Sequence, residues 1–242
     1  MPACFEHQIP TDYQEIIQLK NHDDIDYILI TDYVCFIAHD FVQASISLVI
    51  SQPIQTHIYF DCRSSVDLKV RLIILFPDQA DIVINTFLCG NDSSVSIVGL
   101  YALAECQNLT IKTRQTHCGK NCTSRLVMQG IISGQARVCY EGTIRIEEKA
   151  SGTYALQNNK NILLSDRSSA ISIPNIEVLN HDVQCYHGAA VGGFDTTQIQ
   201  YMQSRGLEDR AIQELLIRAL FQEPLQGYKN RELILQSVYE KI

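Results

Sequence analysis

The sequence predicts a mainly β protein with a helical C-terminal segment, and three observations lead to this prediction. Short segments rich in β-branched residues follow one another from about residue 25 to 183. Between Pro53 and Pro174 the chain has only Pro77, as expected where long ladders need backbone donors. From Phe194 onward the pattern changes to helical spacing.

The strand-like segments form one long series in which turn residues separate neighbours. Gly and polar residues recur as Cys89-Gly90-Asn91-Asp92, Cys118-Gly119-Lys120-Asn121 and Ser133-Gly134-Gln135, as is typical of corners. No strict repeat is visible, so periodicity leaves open a parallel β-helix or an antiparallel sandwich. The predicted strands are 27–31, 46–50, 57–60, 70–76, 82–87, 95–100, 109–113, 124–128, 136–140, 143–146, 162–164 and 176–178.

The helical segment should contain three helices. Asp195, with Gln198 three places on, has the form of an N-cap, and Gly206 suits the end of the first helix. A second helix should bury one apolar stripe and stop before Pro224, and a third should cover 231–240. The predicted stripe consists of Ala211, Ile212, Leu215, Leu216, Ala219 and Leu220.

The sequence near the N-terminus reads as a short helix over 12–19 followed by strand, which leaves no room there for a separate domain. We therefore expect three parts: a short N-terminal segment (1–53) that joins the core, a β core (54–193) and the helical segment (194–242).

Composition excludes several classes of protein. A net charge of -8 over 242 residues leaves no general basic field for nucleic acid. The longest apolar runs, 46–50 and 72–76, are far too short to span a bilayer, and the N-terminus does not read as a secretory signal. We therefore expect a cytoplasmic protein, and its nine scattered cysteines read as reduced thiols.

Several blocks of sequence, in the same order and spacing, resemble the SufB/SufD family of iron–sulfur cluster assembly proteins. The most specific are 160–166, 173–178 and 182–192, the last containing Cys185-Tyr186-His187-Gly188-Ala189. Further blocks at 123–125, 134–137, 142–144 and 198–207 extend the resemblance over about 64–225. An ordered series of blocks is much more specific than any single motif.

Within this family the chain resembles SufD rather than SufB. SufB-like sequences have a cysteine just before the segment corresponding to 162–164, where this chain has Asn158, Asn159 and Asn161. The histidine-bearing block around His187 is also the SufD version. The chain departs from the family in its short N-terminal region and in Ala190, where threonine is usual.

The resemblance implies a right-handed parallel β-helix core with C-terminal α-helices, and a non-enzymatic scaffold subunit. It implies pairing with a SufB-like subunit, docking of the SufC-like ABC ATPase on the helices, and a transient iron–sulfur cluster near the interface. This chain should bind no nucleotide, because Gly119-Lys120 lacks the rest of a phosphate loop. The alternative is a homodimeric or regulatory SufD-like scaffold that lacks the N-terminal region.

The predicted cluster-assembly residues are His187, as a metal ligand, and Cys185, which alternation in a strand puts on the same side. One cysteine and one histidine cannot complete a four-ligand site, so another chain would supply the rest. The simpler interpretations are a packed histidine and a buried thiol. The residues predicted to face the ATPase are Arg205, Glu208, Arg210 and Leu215.

The sequence gives little support to two other kinds of site. Cys118 and Cys122 beside His117 lack the spacing and the second cysteine pair of a zinc site. Parallel β-helices also include polysaccharide-cleaving enzymes, but the aspartates near turns show no pairing pattern that would favour this class. Those aspartates are Asp61, Asp67, Asp78, Asp81 and Asp92.

Overall fold

Each coil of the chain contributes one strand to each of two parallel sheets, so the strands stack into a β-solenoid. The computed structural model describes residues 15–242. Odd-numbered strands form one seven-stranded sheet, in the order β1-β3-β5-β7-β9-β11-β13, and even-numbered strands form the other, from β14 down to β2. All pairs are parallel, which confirms the β-helix and rules out the antiparallel sandwich.

The elements cover most of the described chain. The strands of the odd sheet are β1 (Glu15–Leu19), β3 (Tyr33–Ala38), β5 (Ile54–Cys62), β7 (Gln79–Leu88), β9 (Asn108–His117), β11 (Arg137–Ile146) and β13 (Ser169–Val178). Those of the even sheet are β2 (Asp23–Ile28), β4 (Gln43–Ile50), β6 (Asp67–Leu75), β8 (Ser94–Leu103), β10 (Thr123–Ile132), β12 (Thr153–Leu163) and β14 (Val183–Gly192). The helices are α1 (Thr196–Ser204), α2 (Asp209–Leu220) and α3 (Arg231–Lys241).

The coils widen along the chain, which explains why no strict repeat is visible in the sequence. In the odd sheet, Glu15 pairs with Val34, an offset of 19 residues (34 − 15). Farther along, Gln79 pairs with Asn108, an offset of 29 (108 − 79). In the last pair, Arg137 lies beside Ser169, an offset of 32 (169 − 137). The solenoid is therefore tapered, with a narrow N-terminal end and a wide C-terminal end.

The core lies in the lumen between the two sheets, because side chains alternate inward and outward along each strand. The narrow part of the lumen is filled by apolar side chains such as Phe36, Leu48, Ile58 and Leu72, all fully buried. Apolar filling of this kind provides most of the free energy that stabilises the coils.

Helices α2 and α3 pack on the outside of the even sheet, whereas α1 has no buried residue. Asp195 caps α1 as predicted, its Oδ1 accepting from the Thr197 N–H at 2.8 Å. The buried residues of α2 are Ile212, Ile217 and Leu220, so the predicted stripe is rotated: Ala219 and Leu215 are exposed and Ile217 is buried instead. Ile217, Leu220 and residues after α2 pack against outward-facing residues of the sheet, among them Ile73, Leu100, Ile131 and Ile162.

The N-terminal part of the described chain is strand, not helix. Glu15–Leu19 is β1, so the helix predicted over 12–19 is wrong from Glu15 onward, and its first residues, like the rest of 1–14, lie outside the described residues. β5 begins at Ile54, and β1 to β4 belong to the same two sheets as the strands that follow. None of the helices within 15–242 is both long and apolar enough to cross a bilayer.

Candidate functional site

The wide end of the solenoid carries the predicted cluster residues. Within 15–242, β13 and β14 are the last strands of their sheets, and each has one edge with no neighbouring strand. Their side chains are largely exposed, in contrast to the buried coils below. The exposed apolar side chains here are Ile171, Ile173, Ile176, Val178, Tyr186 and Val191.

Cys185 and His187 lie on the lumen side of β14. The half-buried Cys185 packs with Val183 against a small apolar cluster that includes Ile144 and Ala155. Since side chains alternate along a strand, His187 shares this face, as predicted. His187 is exposed, because no further described coil covers the lumen above it. Burial raises the pKa of Cys185, so a metal must displace its proton to bind.

Gln157 forms the floor beneath His187. The two residues are direct neighbours in the register of β12 and β14. The Gln157 side chain extends across the lumen to Gly142, where a Cβ would lie 1.9 Å from the Gln157 Nε2. Its buried Oε1 accepts no hydrogen bond from the described residues. The lumen therefore holds a polar group below the predicted site.

The polar character continues one step along the same strand. The Asn159 Nδ2 donates to the Tyr101 hydroxyl at 2.9 Å, and the Asn161 Nδ2 donates to the Asn159 Oδ1 at 2.7 Å. The Tyr101 hydroxyl also donates to Asn161. All three side chains are buried. Asn159 and Asn161 thus belong to a closed hydrogen-bonded network with Tyr101 inside the lumen, whereas Asn158 is exposed on the other face of the strand.

Sequence reasoning missed this polar lumen, although a signal for it exists. Gln157, Asn159 and Asn161 recur with period two, which places them on one face of β12, although the sequence predicts a strand only from 162 to 164 and 158–161 has the composition of a corner. Three amides on the inward face of a strand require partners inside the core, because buried polar groups need hydrogen bonds.

Within residues 15–242, three or more His, Cys, Asp or Glu side chains nowhere converge in a way that would hold a metal ion. At the wide end the chain offers a thiol and an imidazole on the same face of β14. A cluster bound there would need its remaining ligands from another molecule.

The four residues predicted to face the ATPase lie at and after the junction of α1 and α2. Arg205 is the C-cap of α1, with its guanidinium 5.2 Å from the centre of the Tyr201 ring. Glu208 is the N-cap of α2, and the Arg210 Nε lies 3.2 Å from the Glu214 Oε1. Leu215 is 47% exposed, and Tyr201 and Leu207 are also exposed. This junction surface therefore carries both charged and apolar side chains.

The other residues weighed from sequence are separated by the fold. His117 lies in the lumen 2.7 Å from the Ser124 hydroxyl, and the buried Cys122 Sγ faces the Gly90 oxygen, so these two do not join Cys118 in a ligand set. Asp61 is paired with Arg63 at 3.0 Å, whereas Asp92 accepts from Asn121 in a turn.

The wide end is distinct from a groove of about 750 Å³ beside the narrow coils. This groove lies between the even sheet and the connection from α2 to α3. Its lining carries charges of both signs, including Asp67, Lys69, Arg125 and Glu223, and none of the predicted site residues lines it.

The part of the chain that matches known proteins includes both the wide end and the junction of α1 and α2. The family model described as the SUF system FeS cluster assembly SufBD core domain matches residues 68–220, from β6 to the end of α2. SufD of Escherichia coli is 29% identical over 149 residues, which are 62% of this chain and 35% of SufD.

Two further relatives have the same level of identity. A SufBD family protein of Mycobacterium bovis is 29% identical over 143 residues, 56% of this chain and 36% of the relative. A chloroplastic SufBD family protein of Arabidopsis thaliana is 29% identical over 128 residues, 52% and 23% respectively. The aligned part of the chain spans about a third or less of the length of these relatives. The family model covers more than half of the sequence, so this chain belongs to the SufBD core family of SUF iron–sulfur cluster assembly proteins.

Proposed function

We propose that this chain is a SufD-like scaffold subunit without catalytic activity of its own, working in the cytoplasm. It pairs through the wide end of its solenoid with a SufB-like subunit and docks a SufC-like ABC ATPase on the junction surface of α1 and α2. An iron–sulfur cluster is assembled transiently between the two scaffold subunits. The observation that carries the proposal is the position of His187 and Cys185, together on the lumen side of the last described strand.

The edges of β13 and β14 support the pairing. An unpaired strand edge is a template for another strand, and natural proteins usually cover or pair it. Exposed Ile171, Ile173 and Tyr186 would become buried when a second solenoid is added there. A homodimer would use the same edge, and it is the alternative that the experiment must separate.

The incomplete ligand set supports a shared cluster. Imidazole and thiolate both bind iron, but clusters held by protein have four ligands in the common types. Since β14 offers one imidazole and one thiolate, ligands from a facing subunit would fill the remaining positions of the cluster. The cluster is then the cargo of the complex rather than a cofactor of this chain.

The junction surface supports ATPase docking. Ile217 and Leu220 pack α2 against the solenoid, which leaves Leu215 exposed on the other side of the helix, while Arg210 is exposed in its first turn. Exposed apolar residues together with charged ones are typical of protein interfaces. ATP hydrolysis would then be performed by the docked subunit.

The test is co-expression of the chain with the SufB-like and SufC-like subunits from the same genome. Size-exclusion chromatography with light scattering gives the stoichiometry, and iron and sulfide assays after anaerobic reconstitution give the cluster content. We expect a hetero-complex that holds a cluster, loses most of it with His187→Ala, and keeps it with His181→Ala. His181 is the matched control because it is also exposed and lies just before β14.

Two outcomes contradict the proposal in different ways. A homodimer that ignores both partners would leave the family and the fold intact but exclude pairing with SufB. A stable hetero-complex with the same iron content in His187→Ala and in the wild type would keep the assembly and remove His187 from the site.

A further inference from the structure

Two turns of the odd sheet lie directly on top of each other and bring two cysteines together. They are the turns Cys89-Gly90-Asn91-Asp92 and Cys118-Gly119-Lys120-Asn121, which follow β7 and β9. The ladder between these strands ends at the pair Leu88 and His117, and the Cys118 N–H donates to the Leu88 oxygen at 2.9 Å. Cys89 and Cys118 are therefore the next two residues in register.

The turns are held closely against each other. A Cβ on Gly119 would lie 2.0 Å from the Gly90 oxygen, so the two backbones approach to a distance that only glycine allows. The Lys120 N–H donates to the Asn91 Oδ1 at 2.9 Å, and the Asp92 N–H donates to the Lys120 oxygen, also at 2.9 Å. These bonds fix the backbones on which the two cysteines stand.

The geometry suits a disulfide. Neighbouring strands lie about 4.8 Å apart, which is inside the range of about 4.4–6.8 Å between the Cα atoms of bonded cysteines. The two thiols already form a hydrogen bond with each other. Both are half-buried and within reach of small reagents, whereas Cys35, Cys62 and Cys122 are buried.

The surroundings distinguish the two sulfurs. The hydrogen bond with Cys118, followed by burial, raises the pKa of Cys89, so Cys89 keeps its proton and acts as the donor. The nearby Asp61 carboxylate adds to this effect and Arg63 opposes it. We therefore give the first attack to the Cys118 sulfur, and Cys89, the next residue in register, is the sulfur that resolves the mixed disulfide.

We propose that Cys89 and Cys118 are a thiol–disulfide exchange site that takes small-molecule disulfides of the glutathione type as substrate. The Cys118 sulfur attacks one sulfur of the small disulfide, forms a mixed disulfide and releases one small thiolate. The Cys89 sulfur then attacks the Cys118 sulfur and releases the second. The two protein thiols lose two protons and two electrons, the small disulfide is reduced to two thiols, and a bond joins adjacent coils.

The test uses the purified full chain, alone, in redox buffers that contain reduced and oxidised glutathione in different ratios. After acid quenching and alkylation, trypsin digestion separates the sulfurs, since Cys118 lies in the peptide 115–120 and Cys89 in the peptide 72–112. The second peptide also contains Cys106, so the experiment is performed in parallel on Cys106→Ser. We expect a linked pair of peptides in the wild type and in Cys106→Ser, which a small dithiol returns to the separate peptides.

The variants Cys89→Ser and Cys118→Ser distinguish the steps. Cys89→Ser should accumulate the mixed disulfide on Cys118, because the sulfur that resolves it is missing, and circular dichroism verifies that each variant is folded. Two results would overturn the proposal. One is glutathione on either cysteine of the wild type without any linked peptide, and the other is no modification of either cysteine in strongly oxidising buffers. Since no partner subunit is present, the result is independent of whether the chain acts as a cluster scaffold.

Discussion

The Arg71 Nε of β6 donates to the backbone oxygen of Pro224 at 2.7 Å, across 153 residues of sequence. Its other nitrogens donate to Ser47 at 3.0 Å and to the Gln226 oxygen at 2.8 Å, and its guanidinium lies 5.1 Å from the centre of the Tyr228 ring. One side chain of the narrow half of the solenoid thus holds the connection between α2 and α3.

We expect Arg71→Ala to destabilise the chain by about 2–3 kcal/mol, because charge-assisted bonds to backbone oxygens are lost on a partly buried side chain. Urea unfolding followed by circular dichroism measures the change. Lys69→Ala is the matched control, since this exposed cation lines the same groove. If both variants unfold at the wild-type urea concentration, Arg71 does not hold the helices.

Gly130 faces the buried Tyr101 ring in the lumen. A Cβ at residue 130 would lie 1.9 Å from the Tyr101 Cε2, so Gly130→Ala must displace a fully buried ring that is hydrogen-bonded to Asn159. Overpacking of this kind costs about 1–3 kcal/mol. Differential scanning calorimetry should show a lower unfolding midpoint. Gly192→Ala, with nothing within 4 Å of the added carbon, should match the wild type, and equal midpoints for the two variants would contradict the tight contact.

His117 should make stability depend on pH. Burial lowers its pKa to about 4 from 6.5 in the unfolded chain, and its Nδ1 has no hydrogen-bond partner among the described residues. Between these values the unfolded chain binds more protons, so stability rises with pH from about 4 to 6.5 and the gain is kept above that. The contribution of His117 to the free energy of unfolding is at most about 3 kcal/mol.

The comparison of wild type with His117→Gln measures this contribution. The difference between the two free energies of unfolding should change across the acidic range and stay constant above neutral pH. Taking the difference between the two variants cancels the contribution of Asp61, which both share. Burial raises the pKa of Asp61 and Arg63 partly offsets this rise, so the effect of Asp61 on stability has the opposite pH dependence to that of His117. A pH-independent difference would show that His117 has the same pKa in the folded and the unfolded chain, and so that burial does not lower it.

Arg210 should contribute to ATPase binding without supporting the fold. Its side chain is 80% exposed and, within residues 15–242, forms an ion pair along the helix with Glu214, a pair worth about 0.5 kcal/mol at most. We expect Arg210→Glu to weaken the affinity for the SufC-like subunit about tenfold, measured by biolayer interferometry, with an unchanged unfolding midpoint. Lys112→Glu, an exposed charge on the odd sheet, serves as control. Equal affinities for both variants would place the docking surface elsewhere.

Local signals allowed some parts of the fold to be predicted from the sequence. Asp195 was identifiable as an N-cap because its carboxylate satisfies backbone donors a few residues away, and the structure confirms this bond. Alternation also put Cys185 and His187 on one face of a strand, since that requires only neighbouring residues.

Other parts depend on contacts that no short stretch of sequence contains. Glu15–Leu19 is a strand because it pairs with β3, nineteen residues farther on, and not because of its own propensity. In α2, the choice of Ile217 rather than Ala219 for the buried side follows from where the even sheet lies beneath the helix. The closeness of Cys89 and Cys118 likewise follows only from the register of two whole coils.

Because the solenoid is tapered, coils at its two ends differ in length. The even sheet widens as the odd sheet does, from an offset of 21 residues between Asp23 and Ala44 to 31 between Thr123 and Tyr154. Because coils at the two ends differ in length, a coil from the narrow end could not replace one at the wide end, and a shift by an odd number of residues would turn inward side chains outward. Unlike the units of an array of identical repeats, the coils at the two ends of the described solenoid are therefore not interchangeable.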